Sequence, residues 1–219
     1  MSPPADVTTS LLQLYRDAAA GRFPSTDGRI TLLPSPTGSV AAAILALTAH
    51  HVVAADVSES WVAERLDRSL AAPMSAPFVV ALEQKLGVHA DSVDVVLAAH
   101  GIGGRPETVA EADDAAHARV QRALRSRRDV RVYAGTGVIV VIGRGVAGRL
   151  EIAIEVDPAQ RSRGVARRAL ADALHLVDIG EPLFAQIAPG NAAALRAALG
   201  AGFRPIGGEV LFFSEAVGD

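Results

Sequence analysis

The chain of 219 residues has no cysteine. That absence excludes disulfides, thiolate nucleophiles and cysteine-ligated zinc together. Lysine is nearly absent as well. Lys85 is the single lysine among 21 basic residues, and the rest are arginine. In a chain this rich in alanine, such a bias reads as genome composition, so no arginine is informative merely by being one. Aromatics are scarce at 4%, and Tyr15 and Tyr133 are the only phenols a proton transfer has to draw on. No apolar run approaches the ~20 residues of a membrane span; the longest covers only 40–47. Residues 1–7 lack a basic stretch followed by an apolar one, so no secretory signal is expected. The formal net charge of -3 carries no electrostatic footprint for nucleic acid or anionic lipid. These absences predict a cytoplasmic protein with no nucleic-acid or membrane partner. No His, Asp or Glu spacing reads as a metal site.

What is present is a globular composition, half hydrophobic and 21% charged. Residues 8–20 read as a helix capped by Thr8, Thr9 or Ser10 and stopped by Gly21. A brief strand is expected over 29–33. Residues 40–47 are ambiguous between helix and strand, but 51–57 favour a hairpin turning near His50. Ser58 and Ser75 are positioned to cap helices over 59–67 and 76–86, the second ending at Gly87. Residues 93–99 read as a strand and 101–106 as a turn. The stretch 107–127 reads as one long polar helix, acidic first and basic last. Its basic end invites a nucleic-acid reading, which the overall acidity opposes.

From residue 129 the texture changes. Strands over 129–134 and 138–142 flank Gly135-Thr136-Gly137, a hairpin signal. A strand over 150–156, a helix from 164, a strand over 182–188, an alanine-rich helix over 192–200 and one or two closing strands follow. The expected class is α/β with a mixed sheet, in two portions: residues 1–128 and residues 129–219, forming one compact unit. Exposed closing strands would make a homodimer feasible.

Two constellations stand out. In the strand over 150–156, Leu150, Ile152, Ile154 and Val156 share one face, and Glu151 and Glu155 lie on the other. That second face is either a solvated surface or a carboxylate-lined site. Next, Arg161-Ser162-Arg163-Gly164-Val165-Ala166 leads into a helix with an apolar stripe. A helix N-terminus with small residues and added arginines suits a phosphate. Further on, Asn191 stands where it would cap a helix that closes at Gly202-Phe203.

These segments resemble the GNAT N-acetyltransferases. The family's acyl-CoA loop reads Gln/Arg-x-x-Gly-x-Gly/Ala, which 161–166 matches throughout, and Asn191 to Gly202 keeps the family's step from Asn to Gly-Phe. The resemblance covers 129–219, with 1–128 an elaboration on the substrate side. It implies a GNAT-like fold and acetyl-CoA as co-substrate. The loop residues Arg161, Ser162, Arg163, Gly164, Val165 and Ala166 would hold the pyrophosphate, and Val156 and Asn191 would meet the pantetheine arm. It implies acetyl transfer to a primary amine of a small molecule or peptide, with Glu151 or Glu155 as base. The tyrosine that many members place seven residues past the Asn is here Ala198. A non-catalytic acyl-CoA-binding module is the alternative this substitution raises.

Overall fold

The structure, a computed structural model, describes residues 10–66 and 72–214. Thr8, Thr9 and Asp67, named above as helix boundaries, lie outside that set. Among the described residues no helix is long and apolar enough to cross a membrane.

One ten-stranded mixed sheet organises the chain. Its strands are β1 (Ile30–Leu33), β2 (Val40–Leu47), β3 (His50–Ala54), β4 (His89–His100), β5 (Val109–Glu111), β6 (Arg128–Gly135), β7 (Val138–Arg144), β8 (Leu150–Val156), β9 (Pro182–Ile187) and β10 (Arg204–Phe213). Across the sheet they run β1-β3-β2-β10-β4-β9-β8-β7-β6-β5. The helices are α1 (Leu11–Ala19), α2 (Glu59–Ala63), α3 (Ala76–Leu86), α4 (Ala118–Ser126), α5 (Val165–Ala173) and α6 (Ala192–Gly200).

Strand alternation sorts the core onto two faces. Leu97, Val140, Ile142, Leu150, Ile152, Leu183 and Ala185 meet α5 and α6 on one face, and Ile44, Val210 and Phe212 meet α3 there too. On the opposite face Val96, Phe184, Leu211 and Phe213 pack beneath α1, and Val141 packs beneath α4. Each fully buried Leu, Ile or Phe of this kind contributes about 1.5–3 kcal/mol. Such residues dominate both layers, so the sheet is sandwiched over most of its width.

Local signals explain the termini. Ser10, Ser58 and Asn191 accept from backbone N–H groups in the first turns of α1, α2 and α6. Gly87, with φ at +66°, ends α3 in the left-handed region. The turn between β2 and β3 is Thr48-Ala49, both at positive φ, which is the twist a two-residue hairpin needs and glycine ordinarily supplies.

Two expectations are corrected. The long helix over 107–127 is instead edge strand β5 followed by the shorter α4. The Asp172 carboxylate on α5 accepts from the backbone N–H groups of Glu107, Thr108 and Val109 and from the Thr108 hydroxyl. Those bonds hold the segment extended, Val109 is buried against the core, and β5 pairs with β6. His117 then caps α4, its Nδ1 accepting from Arg119 N–H. The second correction concerns the closing strand. It is one strand, β10, and it lies inside the sheet between β2 and β4. The exposed edge from which a dimer was reasoned is therefore absent at that position.

Candidate active site

β8 and β9 run parallel and pair only from Leu150↔Leu183 to Ile152↔Ala185. Beyond that point they part. β8 stays with β7 through Val156, and β9 stays with β4 through Ile187. Each strand keeps its other neighbour, so the splay opens the sheet without unravelling either strand. A cavity of about 420 Å³ opens at the gap. Its lining comes from both faces: Ile152, Ile154, Leu170 and Ala185 on the α5 side, and Asp94, Arg122, Arg127 and Glu209 on the α4 side. Asn191 and Ala194, at the start of α6, close one end.

The polar floor is a buried ionic network. Arg149 is 1% exposed. Its Nη1 and Nη2 donate to Glu209 at 2.8 and 2.6 Å, and its Nε donates to Glu151 Oε1 at 2.8 Å. The guanidinium lies 4.2 Å from the centre of the Tyr15 ring and 5.5 Å from that of Phe184. Glu209 also accepts from Tyr15 Oη and Gln186 Nε2, both at 2.8 Å. Burial, with the Glu209 charge, pushes the Tyr15 phenol well above its usual range, so it remains a neutral donor.

Glu151, expected as a base, is buried beneath this network. It accepts from Arg149, from Arg127 Nε at 3.0 Å and from the Val146 amide at 3.2 Å. Burial works to raise its pKa, but the Arg149 and Arg127 charges prevail and hold it below the usual carboxylate range. Gly145 makes room for it, because a Cβ there would collide with the Glu151 carboxyl group. Glu155 is more open and sits 3.4 Å from Arg119.

The cofactor residues read from the sequence lie as follows. Val156 ends β8 and its carbonyl accepts from Arg161 Nε at 3.3 Å. Arg161, Ser162, Arg163 and Gly164 are exposed, with Ser162 and Gly164 at φ of +61° and +74°. Successive turns of this kind aim backbone N–H groups toward one side, a concavity suited to anions. Gly164 is the N-cap of α5, and Val165 and Ala166 form its first turn, where amides lack partners within the helix. Glu151 and Asn191 line the cavity, whereas Glu155 and residues 161–166 are outside its lining.

Asp94 escaped the sequence reading. It lies on β4 opposite Glu209, half-buried in the cavity wall, and accepts from Ser92 Oγ at 2.9 Å. Burial raises its pKa to about 6, and the Glu209 and Asp91 charges add to the rise. The signal was a lone carboxylate inside the apolar run 93–99, as Glu209 is within 206–213. Ala198, on α6, is fully buried in the core. Neither Tyr15 nor Tyr133 is in the cavity lining. His50 bridges Asp27 and Thr31 at 2.9 Å each and is not in the cavity lining.

No protein-family model matches the chain, and no curated protein matches it. Solved structures do. It is similar to a GNAT-family acetyltransferase from Colwellia psychrerythraea, with 12% identity, 58% of this chain and 57% of that chain covered, and a TM-score of 0.36. It is similar to a GCN5-related N-acetyltransferase from Kribbella flavida, with 16% identity, 66% of each chain covered and a TM-score of 0.40. A third is a GCN5-related N-acetyltransferase from Sphaerobacter thermophilus, with 14% identity, 63% of this chain and 56% of that chain covered, and a TM-score of 0.37. The chain thus spans little more than half the length of the Colwellia and Sphaerobacter proteins. The C-terminal half runs strand, arginine loop, helix, parallel strand, Asn-capped helix, Gly-Phe and strand, a mixed α/β arrangement.

Proposed function

We propose that this protein is an acetyl-CoA-dependent N-acetyltransferase acting on a primary amine. The observation that carries the reading is the splay of β8 from β9, which opens a cavity through the sheet that Leu170 of α5 helps to line. In this reading the amides of Gly164, Val165 and Ala166, with Arg161 and Arg163, hold the pyrophosphate of coenzyme A. The pantetheine arm runs along Val156 and past Asn191 into the cavity. Backbone groups of β8 beyond Ile152, released from β9, face the thioester and polarise its carbonyl.

The amine must lose a proton before it attacks the thioester. Of the cavity carboxylates, Glu209 is engaged by Tyr15, Arg149 and Gln186, Glu151 by two arginines, and Asp91 is exposed to solvent and accepts from the Ser92 amide. Asp94, with a pKa of about 6, is ionised at neutral pH yet basic enough to accept a proton. We assign it the base role, working through water. Glu151 then acts by fixing Arg127 and Arg149, and Glu155 by fixing Arg119 at the rim. No tyrosine is at hand for the leaving sulfur, so the departing thiolate takes its proton from water.

The test is calorimetric titration with acetyl-CoA, beside an Arg161→Ala/Arg163→Ala double variant. Micromolar binding that weakens about tenfold or more in the variant supports the cofactor site. No binding to the intact chain sinks the reading. Binding without thiol release, over a broad amine panel, would leave the non-catalytic acyl-CoA module as the function.

A further inference from the structure

Resting on the transfer reading above, we propose that the acceptor carries a carboxylate beside its amine, as an amino acid does, and that Arg122 and Arg127 bind that carboxylate.

The charges around the cavity do not cancel. On the acidic side, Glu209 and Glu151 are engaged by buried arginines. Asp94 has no cation within ion-pair distance among the described residues, and its one side-chain bond comes from Ser92. On the basic side, α4 presents Arg119, Arg122 and, just past its end, Arg127 to the same cavity. Arg119 pairs with Glu155. Arg127 gives its Nε to Glu151, but its Nη1 is buried without an acceptor. Arg122 has no ion pair among the described residues. An arginine donor left in a partly enclosed site without an acceptor is unfavourable until an oxygen reaches it.

What remains on β4 is the half-buried Asp94, with the exposed Asp91 near it, facing free guanidinium donors across the opening. Asp94 and Arg122 do not pair with each other, although the Arg122 charge is felt at Asp94. The space between them suits a guest with charges of both signs. Its ammonium would face Asp94. Its carboxylate would meet the planar fork of Arg122, the two-pronged geometry that arginine offers and lysine does not. A cavity of about 420 Å³ lies within the range of small-molecule sites, which fits an amino-acid-sized acceptor beside the acetyl end of the cofactor. A neutral alkylamine would leave the arginine donors unmet. This arrangement therefore selects against it.

The experiment uses the intact chain saturated with acetyl-CoA, the twenty common L-amino acids and their matched L-amino acid amides, with binding read by calorimetry. The expected result is that at least one acid binds and its amide binds about tenfold more weakly or worse. Arg122→Gln should erase that acid-over-amide preference, and Arg122→Lys should restore only part of it. Equal binding of acid and amide overturns the proposal, as does an unchanged preference in Arg122→Gln or the failure of every acid to bind. Acetyl-CoA binding and thiol release are measured in parallel. An acid preference without thiol release would refute the transfer reading while leaving the carboxylate site standing.

Discussion

Asp94→Asn should stabilise the fold while impairing transfer. In the folded chain burial raises the Asp94 pKa from 3.8 to about 6. Folding therefore favours the protonated acid. The favourable contribution of this group is complete below about pH 4 and disappears as the pH rises through about 6. Above that, the ionised carboxylate opposes folding. Taken at face value the rise is worth about 3 kcal/mol. Water reaches the half-buried side chain and screens its charge, so about 1 kcal/mol is the reasoned figure. Asparagine retains an oxygen to accept from Ser92, so the substitution removes the charge without orphaning the hydroxyl.

Urea denaturation of both proteins between about pH 4 and pH 8 reads the effect directly. The variant should be more stable by about 1 kcal/mol at neutral pH, and the gap should close toward pH 4. In the same preparation acetyl transfer should fall about 10²–10⁴-fold with acetyl-CoA affinity unchanged. The wild-type rate should climb as the pH passes about 6. A variant that is no more stable at neutral pH, or whose gap does not change with pH, would refute the electrostatic argument. A stabilised variant with full transfer activity would retain that argument and remove Asp94 from the chemistry.

Three further outcomes follow from the packing. Arg149→Met should cost about 3–5 kcal/mol, because Glu209 and Glu151 would remain buried without their cation; a melting point lower by roughly 10 °C would register it. Gly145→Ala should destabilise by about 1–3 kcal/mol, since the new methyl group meets the Glu151 carboxyl and must displace it, and chemical denaturation reads the loss. Ala49→Gly should stabilise by about 0.5–1 kcal/mol, the relief at a φ of +61° exceeding the added chain entropy, with the change visible as a small rise in melting point.

How far the sequence disclosed all this depended on the range of the forces involved. The strand β8, the arginine loop, the Asn191 cap and the Gly135–Gly137 hairpin were legible because their signals lie within a few residues: alternation, small residues, a capping side chain. The segment 107–127 misled because its helical polarity was real but its fate was decided by Asp172, more than sixty residues away. Glu151 misled differently. Its alternation correctly put it on the opposite face from Leu150 and Ile152, yet no local pattern reveals that Arg127 and Arg149 cover that face and bury it. Asp94 and Glu209 could have been marked as lone carboxylates within apolar strands, but only the strand order brings them side by side.

That strand order also bears on what the first 128 residues do for the site. β4 is inserted between β9 and β10, so the strand that carries Asp94 pairs on both sides with strands from the other half of the chain. Tyr15, from α1, donates to Glu209 on β10, and its ring covers Arg149 just before β8. Arg122 and Arg127 stand on or beside α4, also before residue 129. The residues read here as the acyl-CoA loop all belong to the later half, whereas Asp94, Arg122 and Arg127 at the opposite wall belong to the earlier one. The two halves therefore meet at the cavity, and under the proposed transfer reading selectivity for the acceptor would change on β4 and α4 without disturbing the loop before α5.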